Sequence, residues 1–221
     1  MKKYLAELIG TFVLIFVGTG SVIVNNATDG DVSLVGIALA WGLVVSAMIY
    51  SIGDISGAHI NPAVTIAFWV GRRFEGKHVA PYIASQCIGA ILASVLMRIL
   101  FPDQDNLAAT LPAGTWWQSF IMEIVLTMIL LFVVLNVSVG AKEKGITAGL
   151  AIGGVISFEV LCGGPVSGAS MNPARSIAPA LVGGQLQFLW VYLTAPVIGA
   201  VLAVPISGYL RSDEGETGAA G

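Results

Sequence analysis

Six long apolar segments constrain this chain more than any other feature of its sequence. They lie at about residues 4–24, 32–52, 79–101, 116–140, 146–162 and 188–210. Each is close to the ~20 residues that a helix needs to cross the hydrocarbon core of a bilayer. Charged residues make up 10% of the sequence, whereas a water-soluble domain carries about a quarter. The chain is therefore predicted to be an all-α membrane protein with six transmembrane helices.

Once these segments are assigned to the membrane, too little chain remains for an extramembrane domain. This excludes a nucleic-acid binder, a secreted disulfide scaffold and an enzyme with a soluble catalytic domain. Cys87 and Cys162 both lie in apolar sequence, where cysteines usually pack as small hydrophobic residues. No disulfide, metal site or cofactor is predicted.

The basic residues are distributed unevenly among the predicted connections. Eight of the ten would lie on one side of the membrane, namely Lys2, Lys3, Arg72, Arg73, Lys77, Lys142, Lys144 and Arg211. The positive-inside rule assigns this side, with both termini, to the cytoplasmic face of a plasma or inner membrane. The first apolar segment follows two lysines, as in a signal peptide. Because Glu7 interrupts it and no small-residue cleavage motif follows, we interpret it as a retained span.

A nine-residue motif occurs twice. Residues 56–64 read SGAHINPAV and residues 167–175 read SGASMNPAR, with six of nine positions identical. Each half of the chain contains three spans, so the second half must enter the membrane from the opposite side. This pattern predicts one domain, residues 1–221, built as an inverted repeat. Repeat 1 covers about 1–105, repeat 2 about 112–211, and a short cytoplasmic tail 212–221.

Other residues extend the repeat beyond the motif. Gly42 and Gly153 lie at the same distance before the motif asparagine, and Glu7 parallels Glu123 near the start of each half. Small residues at helical spacing, such as Gly10 with Gly18, are expected to allow close helix packing.

The repeated motif carries the signals of a helix start. Asparagine is a preferred N-cap and proline a preferred first helical residue, so a helix is predicted to begin at Asn61-Pro62-Ala63 and another at Asn172-Pro173-Ala174. Running to about Gly71 and Gly183, each would span roughly 15 Å, half of the hydrocarbon core. The two N-termini would then meet near the midplane. The non-helical backbone leading in, at 56–60 and 167–171, is tolerated at this depth only when it is buried in protein or lines a wet cavity.

The doubled Asn-Pro-Ala motif within six spans resembles the aquaporin family over nearly the whole chain, up to Arg211. Residues 163–176, GGPVSGASMNPARS, are especially similar to the nodulin-like intrinsic proteins of plants and their microbial relatives. The resemblance implies a passive channel for glycerol and water, extending to metalloid acids such as arsenous or boric acid, that excludes ions and protons. It also implies a homotetramer in membrane lipid, with no cofactor, no nucleic-acid partner and no enzymatic step.

The resemblance further implies which residues form the narrowest point of the pore. These are Trp41, Val160, Ala169 and Arg175. Water-selective members typically carry Phe and His at the first two positions. Dedicated glycerol facilitators usually carry Gly and Phe at the middle two positions and Asp in place of Ser176. The combination in this chain matches the glycerol-permeable nodulin-like pattern.

Solutes are expected to move in single file past backbone carbonyls and the two motif asparagines, Asn61 and Asn172, which would donate N–H groups. The expected carbonyls are those of Gly57, Ala58, His59, Ile60, Gly168, Ala169, Ser170 and Met171. Glu7 and Glu123 are expected to accept hydrogen bonds from backbone N–H groups of the two re-entrant segments. The helix dipoles and the charge of Arg175 would exclude cations and protons.

Several alternatives remain open at the level of sequence. One is a water-selective aquaporin, and another is a secondary transporter, because inverted repeats with broken helices also build transporters. A scaffold without conduction would be expected to lose Arg175. Glu159, beside Val160, has three open placements: a neighbouring subunit, the outer interface or the pore, the last of which would weaken the passive interpretation. Arg98 is expected to snorkel to the interface.

Overall fold

The structure, a computed structural model, describes residues 1–138 and 142–211, with the backbone alone for 142–146. This described part contains eight α-helices and no β-strand. In chain order they are α1 (Lys2–Ala27), α2 (Ser33–Ser56), α3 (Pro62–Val70), α4 (Val79–Leu100), α5 (Trp116–Val137), α6 (Lys142–Ser167), α7 (Pro173–Gly183) and α8 (Leu189–Arg211). A single 3-10 turn, Gly76–His78, precedes α4.

Six of these helices are long and apolar enough to cross a membrane, which confirms the predicted fold class. They are α1, α2, α4, α5, α6 and α8. Each exposes large apolar side chains that lipid would cover, among them Ile9, Leu43, Ile99, Ile121, Leu150 and Ile206. Cys162 is also exposed on α6 rather than packed, whereas Cys87 is half-buried. Two sequence-based assignments lie outside the described residues: the end of the fourth segment at 140 and the tail at 212–221.

The helix bounds differ from the prediction where the spans meet the repeated motif. The fifth span was expected to end at 162, but α6 continues to Ser167 through Pro165. Similarly, Ser56 and Ser167 are the last helical residues of α2 and α6 rather than part of the non-helical segments. The reason is the partners available to their carbonyls. The hydroxyl of Tyr82 donates to Ser56 O at 2.9 Å and that of Tyr192 to Ser167 O at 2.7 Å.

The two repeats interlock. Within repeat 1, α1 packs against α2 and α4, and within repeat 2, α5 packs against α6 and α8. Each short helix, however, packs mainly on the last span of the other repeat: α3 on α8, and α7 on α4. The short helices are therefore held in the centre of the molecule by both halves.

A glycine contact joins the repeats along α2 and α6. A Cβ atom on Gly42 would overlap the carbonyl oxygen of Gly153, and the reverse is also true. The hydroxyl of Ser46 on α2 donates to Gly149 O on α6 at 2.9 Å. This close approach brings the two helices that carry Trp41 and Val160 together.

Contacts at one end of the molecule gather the basic connections. Arg73 Nη1 and Arg211 Nη1 both donate to the carbonyl of Leu135 near the end of α5, at 2.8 and 3.1 Å. The hydroxyl of Tyr4 is 2.9 Å from His78 Nδ1. The start of α1, the connection after α3 and the end of α8 therefore share one end of the bundle. The side chains of Lys142 and Lys144 lie outside the described residues.

Candidate functional site

The two short helices begin at the repeated motif. Asn61 Oδ1 accepts a hydrogen bond from Ala63 N at 2.8 Å, and Asn172 Oδ1 accepts one from Ala174 N at 3.0 Å. Both asparagines have extended backbone, with φ of −158° and −149°, and a proline follows each. Each side chain therefore caps the first turn of its helix, as the Asn-Pro sequence predicts.

The two asparagines also join the re-entrant segments to each other. Asn61 Nδ2 donates to Met171 O at 2.8 Å, and Asn172 Nδ2 donates to Ile60 O at 3.0 Å. A carboxamide carries two N–H groups, so one of them on each asparagine remains for a solute. These reciprocal bonds place the N-termini of α3 and α7 face to face, where both helix dipoles contribute positive potential.

The segments leading into the short helices have unusual backbone conformations. Ala58 and Ile60 have φ of 48° and 42°, and Ala169 and Met171 have φ of 41° and 51°. Such left-handed conformations cost about 1–3 kcal/mol at a non-glycine residue and persist only where the surroundings enforce them. The same pattern in both repeats indicates one constraint applied twice.

In repeat 1, that constraint comes from the carboxylate of Glu7, which is completely buried in α1. Its Oε1 accepts hydrogen bonds from Ser56 Oγ at 2.7 Å and His59 N at 2.9 Å. Its Oε2 accepts from Ile60 N at 2.7 Å and Gln86 Nε2 at 2.8 Å. Two backbone N–H groups of the re-entrant segment thus have an acceptor within the protein.

Glu123 in α5 makes the equivalent contacts in repeat 2 and is also completely buried. Its Oε1 accepts from Ser167 Oγ at 2.7 Å and Ser170 N at 2.8 Å, and its Oε2 accepts from Met171 N at 2.7 Å. Both carboxylates are therefore surrounded by donors, an arrangement that stabilises a buried charge.

A series of neighbouring cavities, each sharing lining residues with the next, passes these groups. A wide cavity of about 870 Å³ shares Gly57, His59 and Phe68 with a cavity of about 140 Å³. That cavity shares Asn61 and Asn172 with a narrower one of about 30 Å³. The narrow cavity in turn shares Trp41, Val160 and Arg175 with a wider cavity of about 370 Å³.

All of the predicted pore residues line this series. Gly57, Ala58, His59 and Ile60 line the 140 Å³ cavity, Ala169, Ser170 and Met171 line the narrow one, and Gly168 lines the 370 Å³ cavity. The carbonyls of Ile60 and Met171 were expected to accept hydrogen bonds from solutes. In the structure each already accepts one from the asparagine of the other repeat. A carbonyl oxygen has two lone pairs, so each retains one for a solute.

The four residues assigned to the narrowest point come together around the 30 Å³ cavity. They are Trp41, Val160, Ala169 and Arg175. The guanidinium carbon of Arg175 lies 5.0 Å from the centroid of the Trp41 ring. Arg175 Nη1 donates to Ala108 O at 2.8 Å, and its buried Nε has no partner among the described residues.

The lining of the two narrow cavities is polar on one set of elements and apolar on another. The re-entrant segments contribute carbonyls, asparagine amides and Arg175, whereas α1, α2, α5 and α6 contribute Leu14, Val45, Leu130 and Ile156. No carboxylate from the described part of the chain lines either cavity. Such a lining can exchange hydrogen bonds with hydroxyl groups while contacting carbon atoms, and it offers no counter-charge to a cation.

Glu159 occupies none of the three placements considered from the sequence. Its side chain is 1% exposed and neither carboxylate oxygen has a hydrogen-bond partner within the described residues. It therefore reaches neither a neighbouring subunit nor the outer interface, and it is not among the residues that line the cavities.

Sequence reasoning missed several residues that support the site. Ala108, in the connection between α4 and α5, binds Arg175, and Gln86 links Glu7 to Thr65 Oγ1. Gly18 makes room for Trp41, because a Cβ atom there would overlap the indole ring. The spacing of Gly18 indicated close packing but not its partner, and Ala108 acts through its backbone, which leaves no signal in residue type.

Comparisons with known proteins agree with this geometry. Residues 1–206 match the model of the family described as major intrinsic protein. The chain is 46% identical over 202 residues to aquaporin NIP1-1 of Oryza sativa subsp. japonica, covering 91% of this chain and 71% of that protein. It is 44% identical over 212 residues to nodulin-26 of Glycine max, covering 96% and 78%. The structure of the aquaglyceroporin from Plasmodium falciparum superposes with a TM-score of 0.83 at 26% identity, covering 96% and 97%.

Proposed function

Because the chain belongs to the major intrinsic protein family, we propose that it forms a passive channel through which small neutral solutes cross the membrane. Glycerol and water are its expected solutes, and the pore chemistry extends to metalloid acids such as arsenous or boric acid. Arsenous and boric acids resemble glycerol in being uncharged and in carrying several hydroxyl groups. The function consists of conduction without a chemical step, so no cofactor or metal is required.

The observation that carries the proposal is the mixed lining of the two narrow cavities. Glycerol has hydroxyl groups along one edge of a carbon chain. Carbonyls and asparagine amides of the re-entrant segments can bind those hydroxyls, while Leu130 and Ile156 face the carbon atoms. Selection by hydrogen-bond donors, acceptors and pore width is the usual basis of neutral-solute specificity.

The residues proposed to set solute width are Trp41, Val160, Ala169 and Arg175. Val160 and Ala169 are small and leave room beside the indole of Trp41, whereas Arg175 provides a rigid donor for a hydroxyl group. This combination favours glycerol passage over the water-selective alternative, in which a larger side chain would fill the place of Val160.

The lining also argues against the secondary transporter alternative. Transport coupled to Na⁺ or H⁺ needs a site for the ion within the pathway. Glu7 and Glu123, both buried in the spans, bind the re-entrant segments. With those carboxylates occupied, the narrow cavities have no side chain from the described residues that would hold a coupling cation.

The orientation and assembly form part of the same proposal. The end of the bundle that gathers Arg73, His78 and Arg211 would face the cytoplasm, together with both termini, in a plasma or inner membrane. The exposed apolar faces of the spans would contact lipid and the other subunits of a homotetramer. Glycine-rich helix faces are compatible with close subunit packing, and chemical crosslinking in the membrane measures the number of subunits.

The proposal can be tested by narrowing the pore at its proposed constriction. In the double variant Trp41→Phe with Val160→His, the histidine ring fills space left by valine and adds a donor suited to water. Glycerol flux into proteoliposomes should fall about tenfold or more while water flux changes much less, because narrowing a pore excludes the wider solute first.

A matched control for this variant is Leu161→Phe. Leu161 neighbours Val160 on α6 but is exposed on the outside of the bundle, so added bulk there should leave the ratio of glycerol to water flux unchanged. Retained glycerol flux in the folded double variant would show that Trp41 and Val160 do not set the width of the pore.

A further inference from the structure

Arg98, near the end of α4, binds the connection that follows it. Its Nη1 donates to Gln104 O at 2.8 Å and to Pro102 O at 3.2 Å, and its Nη2 donates to Asp105 O at 3.1 Å. The arginine is half-buried, and its forked guanidinium serves three carbonyls at once. No helix or strand occurs between Phe101 and Thr115 in the structure, so these bonds replace the regular hydrogen bonding that the connection lacks.

The same connection leads directly to the proposed constriction. Leu107 and Ala108 have left-handed backbone, with φ of 47° and 58°. The side chain of Leu107 is 1% exposed and packs in a cluster with Ile23 and Met97. The side chain of Asn106 accepts a hydrogen bond from Ala108 N at 3.1 Å. This strained turn directs the carbonyl of Ala108 to Arg175 Nη1, at 2.8 Å.

Arg175 depends on that carbonyl for its position. Arginine has a long side chain with several rotatable bonds, and fixing it in one conformation costs entropy. Because the acceptor is a backbone atom, its location is set by the path of the connection and not by the identity of Ala108. Whatever fixes the connection therefore fixes the guanidinium that lines the narrow cavity.

The charge pattern points to the same link. Eight of the ten basic residues lie on the side of the membrane that is assigned to the cytoplasm. The two others are Arg98 and Arg175. Simple snorkelling of Arg98 to the interface would not require three carbonyl partners. Both arginines bind the same connection between α4 and α5: Arg98 donates to Gln104 O, and Arg175 donates to Ala108 O.

We propose that Arg98 is a positioning residue for selectivity, which holds the connection so that Ala108 O fixes Arg175 at the constriction. This inference rests on the proposed channel function and adds a residue that does not touch the solute. Loss of Arg98 should loosen Arg175 without removing it, so neutral solutes still pass while the barrier to protons is lowered.

The test compares proton and glycerol fluxes in proteoliposomes containing Arg98→Leu or Arg98→Lys. Proton conductance of Arg98→Leu should rise about tenfold, the fold-change expected from losing hydrogen bonds to a charged group. Glycerol flux should stay within about twofold, because the pore residues remain. Arg98→Lys keeps the charge but lacks the planar fork, so its proton conductance should lie between those of the wild type and Arg98→Leu.

A double variant separates positioning from a general structural role. In the Arg175→Val background, Arg98→Leu should add no further proton conductance, because its effect acts through the arginine already removed. Additive effects, or wild-type proton exclusion in folded Arg98→Leu or Arg98→Lys, would overturn the inference. The control Arg72→Asn removes an exposed cation at the other end of the bundle, and asparagine tolerates the left-handed backbone at this position. Its proton conductance and glycerol flux should therefore equal those of the wild type. Absence of glycerol flux in the wild type would instead refute the channel function itself.

Discussion

Arg175 is a buried cation whose hydrogen bonds are incompletely satisfied by protein. Its side chain is 4% exposed, it binds Ala108 O through Nη1, and its Nε has no partner among the described residues. Leaving such a group unpaired is unfavourable for stability. This unfavourable free energy has a functional explanation. A passing solute oxygen would supply the missing partner, and the charge would repel cations.

We therefore expect Arg175→Val to keep neutral-solute flux and to lose part of the ion barrier. Valine removes the charge while the facing N-termini of α3 and α7 remain. Proton conductance of proteoliposomes should rise about tenfold or more, consistent with the loss of a charged hydrogen-bonding group. Unchanged proton exclusion would show that the dipoles of the two short helices suffice without Arg175.

Gly18 provides a second prediction at the scale of one residue. Its missing side chain leaves the space that the indole of Trp41 occupies. Gly18→Ala should push Trp41 towards Arg175, so that glycerol flux falls several-fold and water flux falls less. The control is Gly53→Ala, because Gly53 has open space where a Cβ atom would lie. Equal glycerol flux in both variants would contradict the proposed role of Trp41.

At the scale of elements, the re-entrant segments owe their shape to the buried glutamates. Each segment has non-glycine residues in left-handed conformations, and two of its backbone N–H groups donate to a carboxylate rather than to a backbone carbonyl. Glu7 and Glu123 bind those N–H groups from α1 and α5. Strain of this kind is common at functional sites, where the surroundings hold the backbone in place.

Glu123→Gln should destabilise the protein by about 1–3 kcal/mol, because an amide NH₂ cannot accept from Ser170 N or Met171 N and leaves a buried donor unpaired. The thermal unfolding temperature in detergent measures the effect. Glu159→Gln is the matched control, since Glu159 is equally buried but has no partner in the described part of the chain. Glutamine has nearly the same shape and cannot carry a charge at this unpartnered buried site, so the unfolding temperature should be maintained or raised. A similar loss in both variants would mean that the contacts of Glu123 are not what stabilises its segment.

The sequence predicted the elements well where hydrophobic length and helix-start signals dominate. The six spans follow from apolar segments, and the short helices α3 and α7 follow from Asn-Pro. The ends of α2 and α6 were less predictable, because Tyr82 and Tyr192 bind their last carbonyls from distant helices. Such tertiary partners leave no local pattern.

At the scale of the whole molecule, the inverted repeat explains why one pore crosses the membrane. Each short helix, of 9 or 11 residues, is long enough for about half of the hydrocarbon core. Each packs on the last span of the opposite repeat. The asparagines then bind the opposite segment, so neither half can form the pathway alone. The equivalence of Glu7 with Glu123 and of Gly42 with Gly153 was visible in the sequence.

The asymmetric part of the molecule was not predictable in the same way. The connection from Phe101 to Thr115 has no counterpart in the repeated motif, and its contribution to the constriction is the carbonyl of Ala108. Backbone acceptors are present at every residue, so their use depends on the folded path. The proposed role of Arg98 consequently required the structure.

The central claim is passive conduction of neutral solutes, and stopped-flow glycerol influx into proteoliposomes tests it most directly. Influx should be measured with and without a Na⁺ or H⁺ gradient, against protein-free liposomes. A fixed pore with no coupling-ion site predicts faster influx than in protein-free liposomes, at the same rate with or without either gradient. Glycerol influx that requires an ion gradient would contradict the channel and favour a secondary transporter.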